Sequence, residues 1–160
     1  SKEVISKMNK IQIISTDIKL EKQIFNNNLR SPRFIFNMLE KFGEKSCALC
    51  ECKVPELIQG AHIWNVFDIK RNAYLSEGEK LEHATDGDNG IWLCANHHKL
   101  FDENFFTFNS YGQIIYRNDI KEQDLSYINK ITEELKISEK YITQKFLSYL
   151  NERNKNLTQI

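Results

Sequence analysis

The chain has 160 residues, of which 41% are hydrophobic and 28% are charged, and its formal net charge is zero. These values are typical of one soluble domain with a real core, and they exclude a membrane-spanning protein, because no run approaches the roughly 18 apolar residues that a membrane helix needs. The charge is uneven, since the middle of the chain, residues 47–108, is acidic. An acidic middle is unusual for a protein that binds nucleic acid.

The N-terminal region predicts a polar helical arm followed by a helix that packs on the core. The arm covers residues 1–30. Ser31, followed by a proline, favours a helix start, because serine is preferred at the N-cap and proline at the first helical position. Apolar residues at helical spacing give this helix a buried face, and Gly43 ends it. Arg30 and Arg33, near its N-terminal end, are candidate phosphate contacts.

Two short pairs of ligand residues predict a structural zinc site. Cys47 and Cys50 form a Cys-x-x-Cys turn, and Cys94 and His97 form a Cys-x-x-His pair. Three thiolates and one imidazole supply the four ligands of a closed tetrahedral Zn²⁺ site. Cys52 is an alternative ligand to Cys50. Cys50 is favoured because the two residues between it and Cys47 form the tighter turn. This use of cysteine suits a reducing cytosol better than a disulfide framework does, so we expect a cytoplasmic protein.

The rest of the chain alternates between short strands, loops and helices in the prediction. Gly60 marks a tight turn or bulge in the first strand, and His83 is expected to be solvated in a loop. The predicted elements are a strand or hairpin arm over 57–64, a long polar loop over 65–88 that allows a helical turn near 70–74, a short helix over 89–101, a hairpin over 105–116, and helices over 121–135 and 138–152.

The ordered motifs resemble those of the HNH nucleases in the ββα-metal superfamily. The motifs are a Cys-x-x-Cys, an Ala-His-Ile, and then Asp-x-Asn-Gly-Ile-x-Leu-Cys-x-x-His-His-x-x-Phe-Asp. The resemblance covers about residues 30–116 and is closest to the zinc-containing subgroup found in restriction endonucleases. It implies an α+β fold with a central ββα-metal unit, stapled by a structural zinc and flanked by N-terminal and C-terminal helices. The implied divisions are the arm, an HNH nuclease core over 31–116 and a helical extension over 117–160.

The resemblance also implies roles for three residues outside the zinc set. His62 falls on the general base, Asn89 on the middle asparagine, and His98 on the final histidine, a ligand of the catalytic divalent ion, Mg²⁺ or Mn²⁺. An imidazole, with an ordinary pKa near 6.5, is suited to take a proton from water, and a divalent ion stabilises charge on the phosphate. Asn89 has two open readings, a contact with the ion or a brace for its loop.

One position departs from the family pattern. Ala61 stands where many members place an Asp or His ligand, so Asp88, Asp102 or water would have to complete the coordination of the ion. We expect a metal-dependent DNA endonuclease of restriction type with no membrane partner. A catalytically inactive, zinc-stabilised DNA- or protein-binding module is the alternative. Cutting both strands would require two copies, and the amphipathic C-terminal helix could supply the interface of a homodimer.

Overall fold

The computed structural model describes residues 31–157, so the predicted arm, with Arg30, lies outside the described residues. Within that range the chain forms six α-helices and two two-stranded antiparallel sheets. None of these six helices has the length and apolar character needed to cross a membrane. In chain order the elements are α1 (Pro32–Phe42), β1 (Ile58–His62), α2 (Val66–Arg71), α3 (Glu77–Thr85), β2 (Gly90–Cys94), α4 (Ala95–Asp102), β3 (Phe106–Phe108), β4 (Ile114–Tyr116), α5 (Glu122–Ile131) and α6 (Gln144–Lys155).

Helix α1 begins and ends where the sequence predicts. The side chain of Ser31 accepts a hydrogen bond from the backbone N–H of Arg33 at 3.1 Å, which satisfies one of the unpaired donors of the first turn. Gly43 ends the helix with a φ of 73°, a conformation that glycine adopts without a steric penalty. The apolar face of α1 is therefore held at a fixed position along the chain.

The β1–β2 hairpin carries different side chains on its two faces. Its register pairs His62 with Gly90 and Ala61 with Ile91. Paired residues share a face and successive residues alternate, so His62 lies on one face while Gln59 and Ala61 lie on the other. Helix α1 packs on the first face and α4 on the second. The hairpin and α4 form the ββα unit that the sequence predicts.

Two glycines let α1 approach the hairpin closely. A Cβ atom on Gly90 would lie 2.6 Å from Met38 Sδ and 2.8 Å from Phe34 Cζ, and one on Gly60 would lie 2.8 Å from Ile35 Cδ1. The expectation of a turn or bulge at Gly60 is wrong, because this residue lies inside the regular register of β1. Its missing side chain provides space for the helix instead.

The predicted polar loop over 65–88 is wrong, since the segment forms α2, α3 and a 3-10 turn at Gly87–Asn89. Both helices are short and strongly capped. Asn65 accepts a hydrogen bond from the backbone N–H of Asp68 at 2.8 Å, and Ser76 forms a reciprocal capping box with Glu79. Few side chains of these helices are buried, so the hydrophobic periodicity was too weak to predict them.

The remaining elements agree with the sequence to different degrees. The hairpin of β3 and β4 is present as predicted. The helix predicted from residue 89 starts later, at Ala95, because the buried run Gly90–Cys94 pairs with β1 as a strand. The two C-terminal helices are displaced from their predicted bounds, because residues between α5 and α6 form a 3-10 turn at Glu139–Tyr141 and a bridge between Gln113 and Lys136.

A polar network attaches α6 to the turn before β2. The hydroxyl of Tyr149 donates to Asp86 Oδ2 at 2.8 Å and lies 2.9 Å from Nδ1 of His83, while Thr143 donates to Asp88 Oδ1 at 2.7 Å. Burial alone would raise the pKa of Asp86, but hydrogen bonds from the Asp88 N–H and Tyr149, with the nearby charge of Lys145, hold it below its ordinary value. The expectation of a solvated His83 is therefore wrong.

Replacing Gly90 by alanine tests the close packing of α1. The added methyl group would overlap Met38 and Phe34, so we expect the free energy of unfolding to fall by about 1–3 kcal/mol. Gly78→Ala in α3 is the matched control, since its Cβ would meet only Ser76 Oγ at 3.9 Å. Urea unfolding of both variants measures the difference, and equal losses of stability would contradict the packing argument.

Candidate metal centre and nuclease site

Four ligand atoms from two separate parts of the chain converge at the junction of β2 and α4. The ligand atoms of Cys47, Cys50, Cys94 and His97 all lie within 4.8 Å of one another. His97 Nδ1 is 3.6 Å from Cys47 Sγ and 3.2 Å from Cys94 Sγ, and the sulfurs of Cys50 and Cys94 are 3.9 Å apart. A tetrahedral Zn²⁺ with ordinary bond lengths requires S···S separations of about 3.8 Å and S···N separations of about 3.6 Å. The donor set fits zinc.

Backbone hydrogen bonds hold the first ligand pair against the second. The N–H of Cys47 donates to the carbonyl of Cys52 at 2.9 Å and closes the turn, and the N–H of Ala48 donates to Trp92 of β2 at 2.9 Å. Cys94 ends β2 and is also the N-cap residue of α4. Cys52 thus shapes the turn through its carbonyl, while the thiol of Cys50 joins the converging set, as the shorter spacing favours.

The imidazole of His97 is oriented by a residue that the sequence did not single out. Its Nε2 lies 2.9 Å from the hydroxyl of Thr132, and its Nδ1 faces the thiols. Burial lowers the pKa of His97, which favours the neutral ring that a metal requires. Backbone N–H groups just after Thr132 also donate to the carbonyl of Leu49, at 2.9 and 3.2 Å. No signal in a polar stretch so far along the chain could have revealed this contact.

Burial also acts on the thiols. It raises the pKa of Cys47 and, with the charges of neighbouring sulfurs adding to the effect, raises that of Cys50 to about 12. Three thiolates close together in a buried site repel one another, and a divalent cation removes that penalty because it is the largest local charge. The chemistry of the donors and their geometry therefore point to the same occupant.

Helix α4 presents a second polar group on the Gln59 and Ala61 face of the hairpin. His98, which is 5% exposed, places Nδ1 2.5 Å from Gln59 Oε1 and Nε2 3.1 Å from Asp102 Oδ2. His98 and Asp102 are four residues apart, so they lie on one side of the helix. Asp102 therefore reaches the neighbourhood of His98, and its side chain is about half exposed. Asp88 does not, because it accepts from Thr143 and pairs with Lys41.

His62 lies on the opposite face of the hairpin from His98. Its ring stacks on Phe34 of α1, with the centroids 3.8 Å apart and the planes at 13°, and it is 9% exposed. Its Nε2 lies 2.8 Å from the carbonyl oxygen of Ala84. Because a carbonyl only accepts, this nitrogen is the protonated one in a neutral ring, and Nδ1 carries the lone pair. The described contacts do not bring the two histidines to one point.

Asn89 braces the exit of β1. It is fully buried, its Oδ1 accepts from the backbone N–H of Trp64 at 2.8 Å, and its Nδ2 donates to the carbonyls of Trp64 and His83 at 3.0 and 3.1 Å. These contacts favour the bracing alternative over a contact with an ion. Arg33 is partly exposed in the first turn of α1, a position from which a phosphate contact stays a prediction.

The C-terminal end of α3 collects these side chains. Its last three backbone carbonyls accept hydrogen bonds from the side chains of Asn89, His62 and Asn37. The last carbonyls of a helix have no partner within the helix, so three of its four open acceptors are satisfied from outside. Helix α3, in a segment that the sequence predicts to be a loop, therefore orients His62 and Asn89.

An antiparallel hairpin followed by a helix, with metal-capable side chains on that helix, is the arrangement of the ββα-metal class. Residues 47–109 match the family model described as HNH endonuclease. This segment of the chain is therefore similar to HNH endonuclease domains, and its Cys3His set fits the zinc-containing kind. No curated protein matches the chain significantly.

Serine replacements separate the two candidate thiols. We expect Cys50→Ser to lose its zinc, because the variant removes a converging ligand. Cys52→Ser should retain about one zinc per chain, because Cys52 supports the turn through its backbone and its thiol is not in the converging set. Metal analysis of the purified proteins by mass spectrometry measures both contents. Zinc loss from Cys52→Ser with retention in Cys50→Ser would reverse the assignment.

Replacing Thr132 by valine tests the orientation of His97. The variant keeps the shape of the side chain but removes the oxygen at 2.9 Å from Nε2. We expect zinc affinity to fall by about 10–100-fold, as for other partners of ligand histidines. Competition with a chromogenic chelator measures the affinity, and Thr143→Val, which removes a hydroxyl that contacts Asp88, is the matched control. An unchanged affinity in Thr132→Val would contradict the orienting role.

Proposed function

We propose that this protein is a metal-dependent DNA endonuclease in which α4 holds the catalytic divalent ion through His98 and Asp102. The observation that carries the proposal is the HNH domain match together with this pair of side chains. Their ligand atoms are 3.1 Å apart, close to the separation of about 3 Å between neighbouring ligands of an octahedral Mg²⁺ or Mn²⁺ ion. Such an ion, when bound, stabilises negative charge on the phosphate and on the leaving oxygen.

Gln59 supports the role of His98. An Nδ1–H that donates to Gln59 Oε1 leaves the lone pair on Nε2, which faces Asp102. Ala61, on the same face, offers no ligand atom. Water molecules would therefore complete the coordination sphere, which Mg²⁺ tolerates because it usually keeps several of them. Two protein ligands are fewer than many members of the family have, so we expect binding of the ion to depend strongly on each one.

His62 is proposed as the general base that takes a proton from the attacking water. The hydrogen bond to Ala84 supports this role, since it leaves Nδ1 as the atom that receives the proton. That carbonyl lies at the C-terminal end of α3, where the helix dipole stabilises a positive charge. The ring would become an imidazolium facing the negative end of a helix, which favours the transfer.

The setting that we propose is restriction-type cleavage of both DNA strands by a homodimer in a reducing compartment such as the cytoplasm. One active site per chain cuts one strand, so a double-strand cut requires two copies. The three thiols of the metal centre support the reducing environment. Sedimentation at concentrations used for cleavage tests the dimer independently of activity.

A second candidate is a zinc-stabilised module that binds DNA or protein without cleaving it. The placement of His62 under α1, away from His98, favours this candidate, and so does the absence of a ligand atom at Ala61. The two candidates differ in one result. About one zinc per chain, combined with no cleavage of DNA under Mg²⁺, Mn²⁺, Co²⁺ or Ni²⁺, would support the module.

Plasmid cleavage with Mg²⁺ or Mn²⁺ tests the endonuclease. We expect His62→Ala to lower the rate about 10²–10⁴-fold, as loss of a general base does. Asp102→Asn should raise the half-saturating Mn²⁺ concentration at least about tenfold. Loss of a group that only hydrogen-bonds a metal ligand weakens metal binding by about that much, and loss of a ligand itself should cost no less. The control is Lys99→Ala on the same helix, whose exposed pair with Glu103 contributes little. A His62→Ala enzyme as fast as wild type would remove the general base from the proposal.

A further inference from the structure

We propose that Arg153 of α6 is a positioning residue for the nuclease site. It ties the exit of β1 to the C-terminal end of α4, and so holds the strand that carries His62 against the helix that carries His98 and Asp102. The inference rests on the proposed function, because it assigns Arg153 to the support of that site. Arg153 contacts neither a substrate nor an ion in this role, and it acts through two backbone carbonyls and the side chain of Asn104.

The contacts of Arg153 join two separate elements. Its Nη1 donates to the carbonyl of Ile63, the residue after β1, at 3.3 Å. Its Nη2 donates to the carbonyl of Phe101 at 2.5 Å and to Asn104 Oδ1 at 3.0 Å. The planar guanidinium can reach these acceptors together, whereas an ammonium group is a compact point donor on a flexible stem. This set of acceptors therefore favours arginine over lysine at position 153.

Burial makes this contact costly. Arg153 is 6% exposed, and desolvation lowers its pKa to about 10, while the charges of Asp102 and Asp68 act in the opposite direction. Its guanidinium carbon also lies 3.6 Å from the centroid of the Phe101 ring, a favourable cation–π contact. A buried charge is weak support for stability, since an apolar side chain of similar size often fills such a position as well. What the guanidinium provides, and an apolar side chain would not, is a set of hydrogen bonds that fixes the positions of its acceptors.

Those acceptors surround Asp102. Phe101 precedes it, and Asn104 follows it with a φ of 59°, the one non-glycine residue with positive φ among residues 31–157. Asn104 donates its backbone N–H to Phe101, and the N–H of Phe105 donates to Leu100, which closes the end of α4. Arg153 therefore holds the backbone carbonyl just before the proposed metal ligand and the side chain of Asn104 two residues after it.

The inference gives the C-terminal extension a part in the site. Arg153 lies well beyond residues 47–109, the segment that matches the HNH family. The same helix is also attached near Asn89, through Thr143 and Tyr149. Helix α6 thus contacts the exit of β1, the end of α4 and the turn before β2, three places from which the ββα unit is held.

Arg153→Met tests the proposal, since methionine fills the volume but donates no hydrogen bond. We expect Arg153→Met to retain zinc, to raise the half-saturating Mn²⁺ concentration at least tenfold, and to leave the KM for DNA within about twofold of wild type. Arg153→Lys should not restore the Mn²⁺ dependence. Lys155→Met, an exposed position on the same helix, should match wild type. Wild-type Mn²⁺ dependence in Arg153→Met would overturn the proposal.

A second variant decides the matter if Arg153→Met fails to fold. Asn104→Gly keeps the positive φ and removes only the acceptor at 3.0 Å, so it should raise the half-saturating Mn²⁺ concentration several-fold, and a wild-type value would overturn the proposal. Mn²⁺ binding measured by electron paramagnetic resonance without DNA separates the two hypotheses. A wild-type chain that binds Mn²⁺ but does not cleave would refute the endonuclease alone, whereas a chain that binds no Mn²⁺ would refute both.

Discussion

The convergence of three thiols and one imidazole at a single corner constrains the rest of the structure. Cys94 is both the last residue of β2 and the N-cap of α4, so an ion bound there would tie the end of the strand to the start of the helix. The direction of α4 over the hairpin follows from that corner. Because Leu49 also accepts hydrogen bonds from the segment after α5, the corner holds the C-terminal part of the chain as well.

Helix geometry explains how two consecutive histidines face different surroundings. Successive residues of an α-helix are rotated by about 100°, so neighbours cannot face one target. His97 faces the thiols and Thr132, whereas His98 faces Gln59 and Asp102. The first environment is closed and suits a structural ion. The second includes a half-exposed carboxylate and suits an ion that must also reach solvent and substrate.

Local sequence signals predicted much of this molecule, whereas few of its long-range contacts beyond the Cys3His set could be predicted. The Ser31 cap and the spacing of the ligand pairs are short patterns, and both α1 and the Cys3His set are where the sequence placed them. Helices α2 and α3 escaped prediction because their caps, not their apolar faces, define them. The faces of His62 and His98 depend on strand register, and the contacts of Arg153 depend on a helix distant in sequence, so neither could be predicted.

The reach of α6 into the ββα unit has a consequence for the order in which the molecule is assembled. Synthesis proceeds from the N-terminus, so the four thiol and imidazole ligands become available before Thr132, and Arg153 follows last of all. A nascent chain can therefore gather its metal corner while the end of α4 still lacks its guanidinium contacts. Excising residues 47–109 as a portable cassette would remove Thr132 and Arg153, and it would also remove α1, which packs on the other face of the hairpin.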